Sequence, residues 1–333
     1  MAQYIGLSHS LVVEEAHGVM NQASSGTLNN TNKNGREKFP IAGYLYLVGT
    51  ALFTALSYVF GRAIDRSFHP AAITFYWFFG AFLCSVLVVL AIPSQRAEVK
   101  HLGKYTKIFI YSSILTAVGA ALWISAIKTI GIPLTSFLMK AQTLFSLMLG
   151  MIFLGERLNK WETVGIVITV TGGIIVAYQR EFSLLVGTLT AIGAAFFYSS
   201  LSFIVKKMGQ RLNMLTVANL RALGVSIFLI AYLVLTGTLQ TPGPVDLLFM
   251  CLGGITGAYI AKACQFQAIK LIDVSRTTAV LPLESIFVVL FSYFIFREIP
   301  SVIKLIGGAG IITGVIFLVI FRGEKPEDLG EGE

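Results

Sequence analysis

Ten apolar runs separated by short polar stretches fill the chain from residue 42 to residue 321. They lie at 42–61, 70–92, 107–127, 133–154, 162–179, 184–205, 214–236, 246–268, 275–296 and 301–321. Each is close to the ~20 residues that carry a helix across the hydrocarbon core. The pattern predicts an all-α transmembrane protein of ten helices, with connections too short for a soluble catalytic domain. Residues 1–40 are polar and rich in Ser, Asn, Thr and Gly, and are expected to form a disordered cytoplasmic tail. They lack the charged start, apolar stretch and cleavage site of a signal peptide. Residues 323–333 are acidic and expected to form a second cytoplasmic tail.

Composition agrees with lipid as the solvent. Charged residues make up only 13% of the chain and hydrophobic residues 55%, whereas soluble domains carry about 25% charge. The net charge of +8 suggests nucleic acid until the basic residues are located. They cluster between apolar runs, which is an orientation signal rather than a phosphate-tracking face. With the first segment placed inside, 16 Lys and Arg fall on cytoplasmic segments and six on outer ones. That asymmetry predicts a multi-pass protein of the cell membrane with both termini cytoplasmic. Cys84, Cys251 and Cys264 lie within apolar runs and read as small hydrophobes. Neither they nor the four histidines have metal-ligand spacing, so no metal and no cofactor are expected.

The two halves repeat. An offset of 142 pairs Ala126-Ile127-Lys128 with Ala268-Ile269-Lys270, Phe145 with Phe287, Gly165 with Gly307 and Gly172 with Gly314. An offset of 144 pairs Gly43 with Gly187, Gly49 with Gly193, Phe53 with Phe197 and Gly80 with Gly224. Each copy, residues 41–180 and 181–322, holds five spans. An odd number starts the second copy from the opposite side of the membrane, so the repeats are expected to be inverted. Inverted repeats around a midplane site are a common build of secondary transporters. The glycines of Gly253-x-x-x-Gly257 and Gly310-x-x-x-Gly314 are expected at close helix contacts.

Leu154-Gly155-Glu156-Arg157-Leu158 resembles the signature that closes the fourth span in the EamA-type family of the drug/metabolite transporter superfamily. Phe296-Arg297-Glu298-Ile299-Pro300 is a degraded second copy. The Gly-rich fifth and tenth runs and Arg221 in the seventh also fit. The resemblance covers roughly residues 40–322. It implies an exporter of amino acids, other metabolites or drugs. Lys140 departs from it, standing where the family often has a proline equivalent to Pro282.

Charge at bilayer depth costs about 2.5–3.5 kcal/mol on insertion scales and usually faces a cavity. Lys140, Arg221, Lys262 and Glu284 are such charges. The repeat sets Gln142 opposite Glu284 and Lys140 opposite Pro282. Lys140 and Glu284 are therefore expected at one central site between spans four and nine, as substrate groups or as a structural ion pair. Lys140 suits a carboxylate. Glu284 suits an amine or a coupling proton, since a desolvated carboxylate is a natural proton carrier. Arg221 is expected to bind substrate, to snorkel or to pair with Glu284, and Lys262 to snorkel. Gln142 and Gln265 are expected to line the path or tie helices together. Tyr76, Trp77, Trp123 and Tyr259 either pack or line the cavity, where they would stack on an aromatic or cationic substrate.

These features predict a secondary transporter, an exporter of amino acids or related amines and aromatics, working by alternating access as a monomer or homodimer. Its partners are a small-molecule substrate, protons and the lipid bilayer. A lipid or lipid-carrier flippase of the same fold is the alternative. An intramembrane enzyme is disfavoured by the absence of HExxH, GxSxG and paired-Asp motifs.

Overall fold

The computed structural model describes residues 41–99, 102–154, 159–178, 182–209, 214–271 and 281–321. The tail at 1–40, the signature at 155–158, the start of the ninth run at 275–280 and the tail at 323–333 lie outside the described residues.

The described chain is helical. Its helices are α1 (Ile41–Ala63), α2 (Pro70–Ala91), α3 (Pro93–Val99), α4 (Thr106–Ile130), α5 (Ile132–Leu138), α6 (Ala141–Leu154) and α7 (Lys160–Ala177). The second half contains α8 (Phe182–Gly209), α9 (Met214–Thr236), α10 (Pro244–Gly253), α11 (Ala261–Leu271), α12 (Leu281–Phe291) and α13 (Val302–Phe321). A π-helical stretch, Gly254–Ile260, joins α10 to α11, and a second, Ser292–Phe296, extends α12. Among the described residues seven helical stretches are long and apolar enough to cross a membrane: 42–63, 70–91, 106–130, 132–153 (α5 and α6 together), 184–204, 215–236 and 244–265 (α10, the π-helical stretch and the start of α11). Residues 282–296 and 302–318 form shorter apolar helices, and the fifth predicted run forms α7.

Local signals explain the helix ends. His69 caps α2, its Nδ1 accepting from the Ala71 amide, and Pro70 occupies the first position, where a missing N–H costs nothing. Gly131 takes φ of 79°, ending α4 and turning the chain into Pro133 at the start of α5. A capping box, Asn159 with Glu162, starts α7.

The fourth predicted run is not one helix. It breaks at Met139–Lys140, where the amides of Lys140, Gln142 and Thr143 bond three residues back, to Phe137, Met139 and Lys140. The break occurs at a lysine, with no proline at 139 or 140 to force it. A tightened turn inside a helix commonly marks a functional site.

Small residues set the packing. α7 lies along α13, with Gly165 against Gly314 and Leu318, and Gly172 against Gly307 and Ile311. The two helices therefore run antiparallel, and the four glycines are the pairs related by the sequence repeat. Gly80 of α2 meets the backbone of Cys251 in α10. Its repeat mate, Gly224 of α9, meets Ser113 and Phe109 in α4. In lipid, where apolar burial gives little drive, such close approach supplies much of the association. Lys304 at the start of α13 donates to the carbonyls of Ile175, Val176 and Tyr178, closing the C-terminal end of α7.

A β-carbon on Gly172 would sit 2.6 Å from the Gly307 carbonyl oxygen and 2.7 Å from the Ile311 nitrogen. Gly172→Val is therefore expected to cost about 1–3 kcal/mol as an overpacked contact. Thermal unfolding of the detergent-purified protein reads this as a lowered Tm. Gly173→Ala, which meets open space, is expected to leave Tm unchanged or raised.

Candidate functional site

The helix break at Lys140 aims its ammonium into the middle of the bundle. α12 brings Glu284 to meet it, with Lys140 Nζ 3.2 Å from Glu284 Oε2. Only 6% of the lysine side chain and 12% of the glutamate side chain are exposed. The two elements are held together by Ser285, whose hydroxyl donates to the Ser136 carbonyl at 3.2 Å. A buried ion pair gains enough Coulomb energy to offset its desolvation only with good geometry.

The pair borders a cavity of about 130 Å³. Gln142, Arg221, Lys262, Gln265, Trp77 and Trp123 border it too. Cavities of this size accept a benzene-sized guest. Gln142 approaches Ser202, with Nε2 3.4 Å from Oγ. Lys262 donates to Gln265 at 2.9 Å. Arg221 is 5% exposed, donates from Nη2 to the Ala258 carbonyl at 2.9 Å, and lies 5.8 Å from the Phe78 ring centre. Its Nε is buried without a partner among the described residues.

Three expectations shift. Arg221 neither snorkels nor pairs with Glu284: among the described residues no carboxylate lies within 4.0 Å of it. Lys262 borders the cavity instead of snorkelling, because Gln265 one turn on holds it inward. Tyr76 and Tyr259 lie away from the cavity lining. The hydroxyl of Tyr76 donates to the Gln240 carbonyl at 3.0 Å, and its ring meets Phe75. Tyr259 packs with Ala81 and Ala222, on the face of its helix turned from the cavity.

Several lining residues carried no charge to flag them in the sequence: Tyr58, Tyr198, Thr50, Thr54, Ser57 and Thr74. Tyr58 is the most consequential. Its ring meets Trp123 edge-on at 4.9 Å, and Trp123 meets Trp77 at 5.5 Å. Gly253 and Gly254 make room for Trp77, since a side chain on either would overlap it. The three rings form one end of the cavity. One turn beyond Tyr58, Arg62 pairs with Glu298 and lies over Phe296. The same end is tied by Lys128 donating to the Phe68 carbonyl and by the Asp65 amide donating to Asp246 Oδ1 at 3.1 Å. The Ser67 amide holds the Asp65 carboxyl below the usual carboxylate range.

The EamA-like transporter family model matches residues 41–178 and 185–320. An uncharacterized transporter of Methanothermobacter thermautotrophicus is 24% identical in an alignment 298 positions long that covers 83% of this chain and 85% of that protein. A protein of known crystal structure, 16% identical, superposes with a TM-score of 0.61 over 86% of this chain and 99% of its own. That likeness concerns the fold alone.

The ion pair makes an asymmetric stability prediction. Lys140→Met leaves Glu284 buried without its cation and is expected to cost about 3–5 kcal/mol, whereas adding Glu284→Leu restores most of that loss. Thermal unfolding of the wild type, both single variants and the double variant measures the coupling. A double variant whose loss equals the sum of the two single losses would show that the two side chains act independently.

Proposed function

The chain belongs to the EamA-like transporter family, and we propose that it is a secondary carrier moving a small metabolite across the cell membrane by alternating access. The observation that carries this reading is the buried Lys140–Glu284 pair at the edge of a small central cavity. An ion pair in a desolvated cavity is a switchable element. A substrate carboxylate competes for Lys140, and an amine or a proton competes for Glu284. Each exchange replaces one buried interaction by another of similar strength, so the cavity can fill and empty without stranding a charge.

The proposed architecture has ten spans in two inverted repeats of five, with both termini cytoplasmic. Symmetric glycine contacts between α7 and α13 support the inversion, and the Lys/Arg asymmetry supports the orientation. In this reading the described conformation is closed at the Tyr58–Trp123–Trp77 end. The Arg62–Glu298 pair must then part when the cavity opens to that side. Amino acids and related amines or aromatics, moved outward, are the favoured cargo. A flippase reading is weaker because the cavity has the size of a small ring rather than of a lipid head group with its chains.

Counterflow in proteoliposomes, with a panel of amino acids, amines and aromatic metabolites, tests the carrier reading. Exchange of none of them above protein-free liposomes would remove it. Glu284 is the proposed proton carrier. Wild-type transport is expected to accelerate under an imposed pH gradient, and Glu284→Gln to respond little or not at all. A Glu284→Gln protein with wild-type gradient dependence would end the proton-carrier role.

A further inference from the structure

The cavity has two unlike halves, and the sequence repeat relates them. The offset of 144 pairs Trp77 with Arg221. The offset of 142 pairs Ala120 with Lys262 and Trp123 with Gln265. All six residues border the same cavity. At these three pairs of positions the first copy carries apolar or aromatic groups and the second cationic or amide groups. Tyr58 adds to the aromatic half through its edge contact with Trp123.

The charge balance has a direction as well. Lys140 neutralises Glu284 at 3.2 Å. Arg221 and Lys262 remain, and among the described residues neither has a carboxylate within 4.0 Å. Arg221 keeps one donor, Nε, buried and unpartnered, while its Nη2 is fixed by Ala258, one helical turn from Lys262. A guanidinium does not shed its charge in a protein, so the cationic half lacks a counter-ion that a ligand can supply. That arrangement is unfavourable to an amine, which would meet two cations and find its only carboxylate already engaged.

We infer that the substrate is an organic anion with a planar apolar body: its acidic group sits between Arg221 and Lys262, and its ring sits against Trp77, Trp123 and Tyr58. This rests on the carrier reading above and narrows its cargo from amino acids and amines to acids without a compensating amine. A cavity of about 130 Å³ suits one ring, since voids of ~150 Å³ take benzene. Arg221 borders the cavity, and a guanidinium prefers a carboxylate or a similar oxyanion as its partner.

The test uses the full-length protein in liposomes and four probes differing in charge or body. Phenylpyruvate is a planar anion, phenylalanine the zwitterion, phenethylamine the cation, and succinate an anion without a ring. Counterflow is expected to be fastest for phenylpyruvate. Arg221→Gln and Lys262→Gln are each expected to lower it about tenfold or more, as the loss of a charged hydrogen-bond partner implies. Arg221→Lys and Lys262→Arg, which keep the charge, are expected to recover part of it, and all four variants are checked for wild-type thermal stability. If either Gln variant is too unstable to reconstitute, competition of the four probes against the wild type still decides the charge preference. Fastest transport of phenylalanine or phenethylamine would overturn the inference and leave the carrier reading standing. Succinate matching phenylpyruvate would overturn the aromatic half. No exchange of any of the four would also overturn it, while the carrier reading would still rest on the broader panel.

Discussion

Everything in the bundle is arranged around one expensive fact: a lysine and a glutamate meet inside the membrane-spanning region. An ion pair there is stable only if both partners are held close, because separating them exposes each to a low-dielectric surround. The chain meets that demand with local devices. The turn at Met139–Lys140 abandons regular helical bonding to bring the lysine inward. Ser285 bonds the Ser136 carbonyl and fixes the spacing of the two helices. Carbonyls loosened at the break are tolerable because they face a cavity and neighbouring helices rather than lipid.

Close helix packing is what makes the pair's geometry hold. Polar groups inside a loosely packed bundle would drift apart, and hydrocarbon offers no pressure to push helices together. The glycine contacts between α7 and α13, and at Gly80 and Gly224, let backbones approach where a methyl group would overlap them. They also bring Trp77 against Gly253 and Gly254, at the π-helical stretch beside the cavity. The extra residue in a π turn widens the helix and re-aims the side chains that follow. Packing and site are thus one construction, since the residues that seal the aromatic end are seated by the glycines that join α2 to α10.

The sequence made part of this legible. Hydropathy located the helical runs, because lipid imposes a length and an apolar composition that a soluble fold does not. Membrane-depth charge pointed to Lys140 and Glu284 and to their meeting, because such charges are costly enough to be rare. Helix faces were harder to read. In a chain apolar all round, periodicity carries little information about which side of a helix faces the interior. Tyr259 and Tyr76 therefore looked equivalent to Trp77 and Trp123, yet only the tryptophans border the cavity. Tyr58 and the threonines went unnoticed for the same reason: hydroxyls bond their own helix's carbonyls at little cost, as Thr50 and Thr74 do here, and so mark no site. Lys262 was misplaced because a lysine near a span end can reach water or the interior equally well. The side chain that decides, Gln265, shows its role only once the helix is folded.

Duplication explains why the scaffold is symmetric while the site is not. A repeated unit can keep its backbone contacts only if both copies retain small residues at matching places, and Gly80 with Gly224, or Gly165 with Gly307, satisfy that condition. No such condition applies to side chains that face the cavity, because they border open space and not the other copy's backbone. Trp77 and Arg221 could diverge, as could Gln142 and Glu284, without disturbing the helix contacts. A site with two identical halves would bind a symmetric molecule best. In the reading proposed above, the unlike side chains at Trp77 and Arg221 give the cavity an orientation, and a ligand with a charged end and an apolar end has one preferred pose.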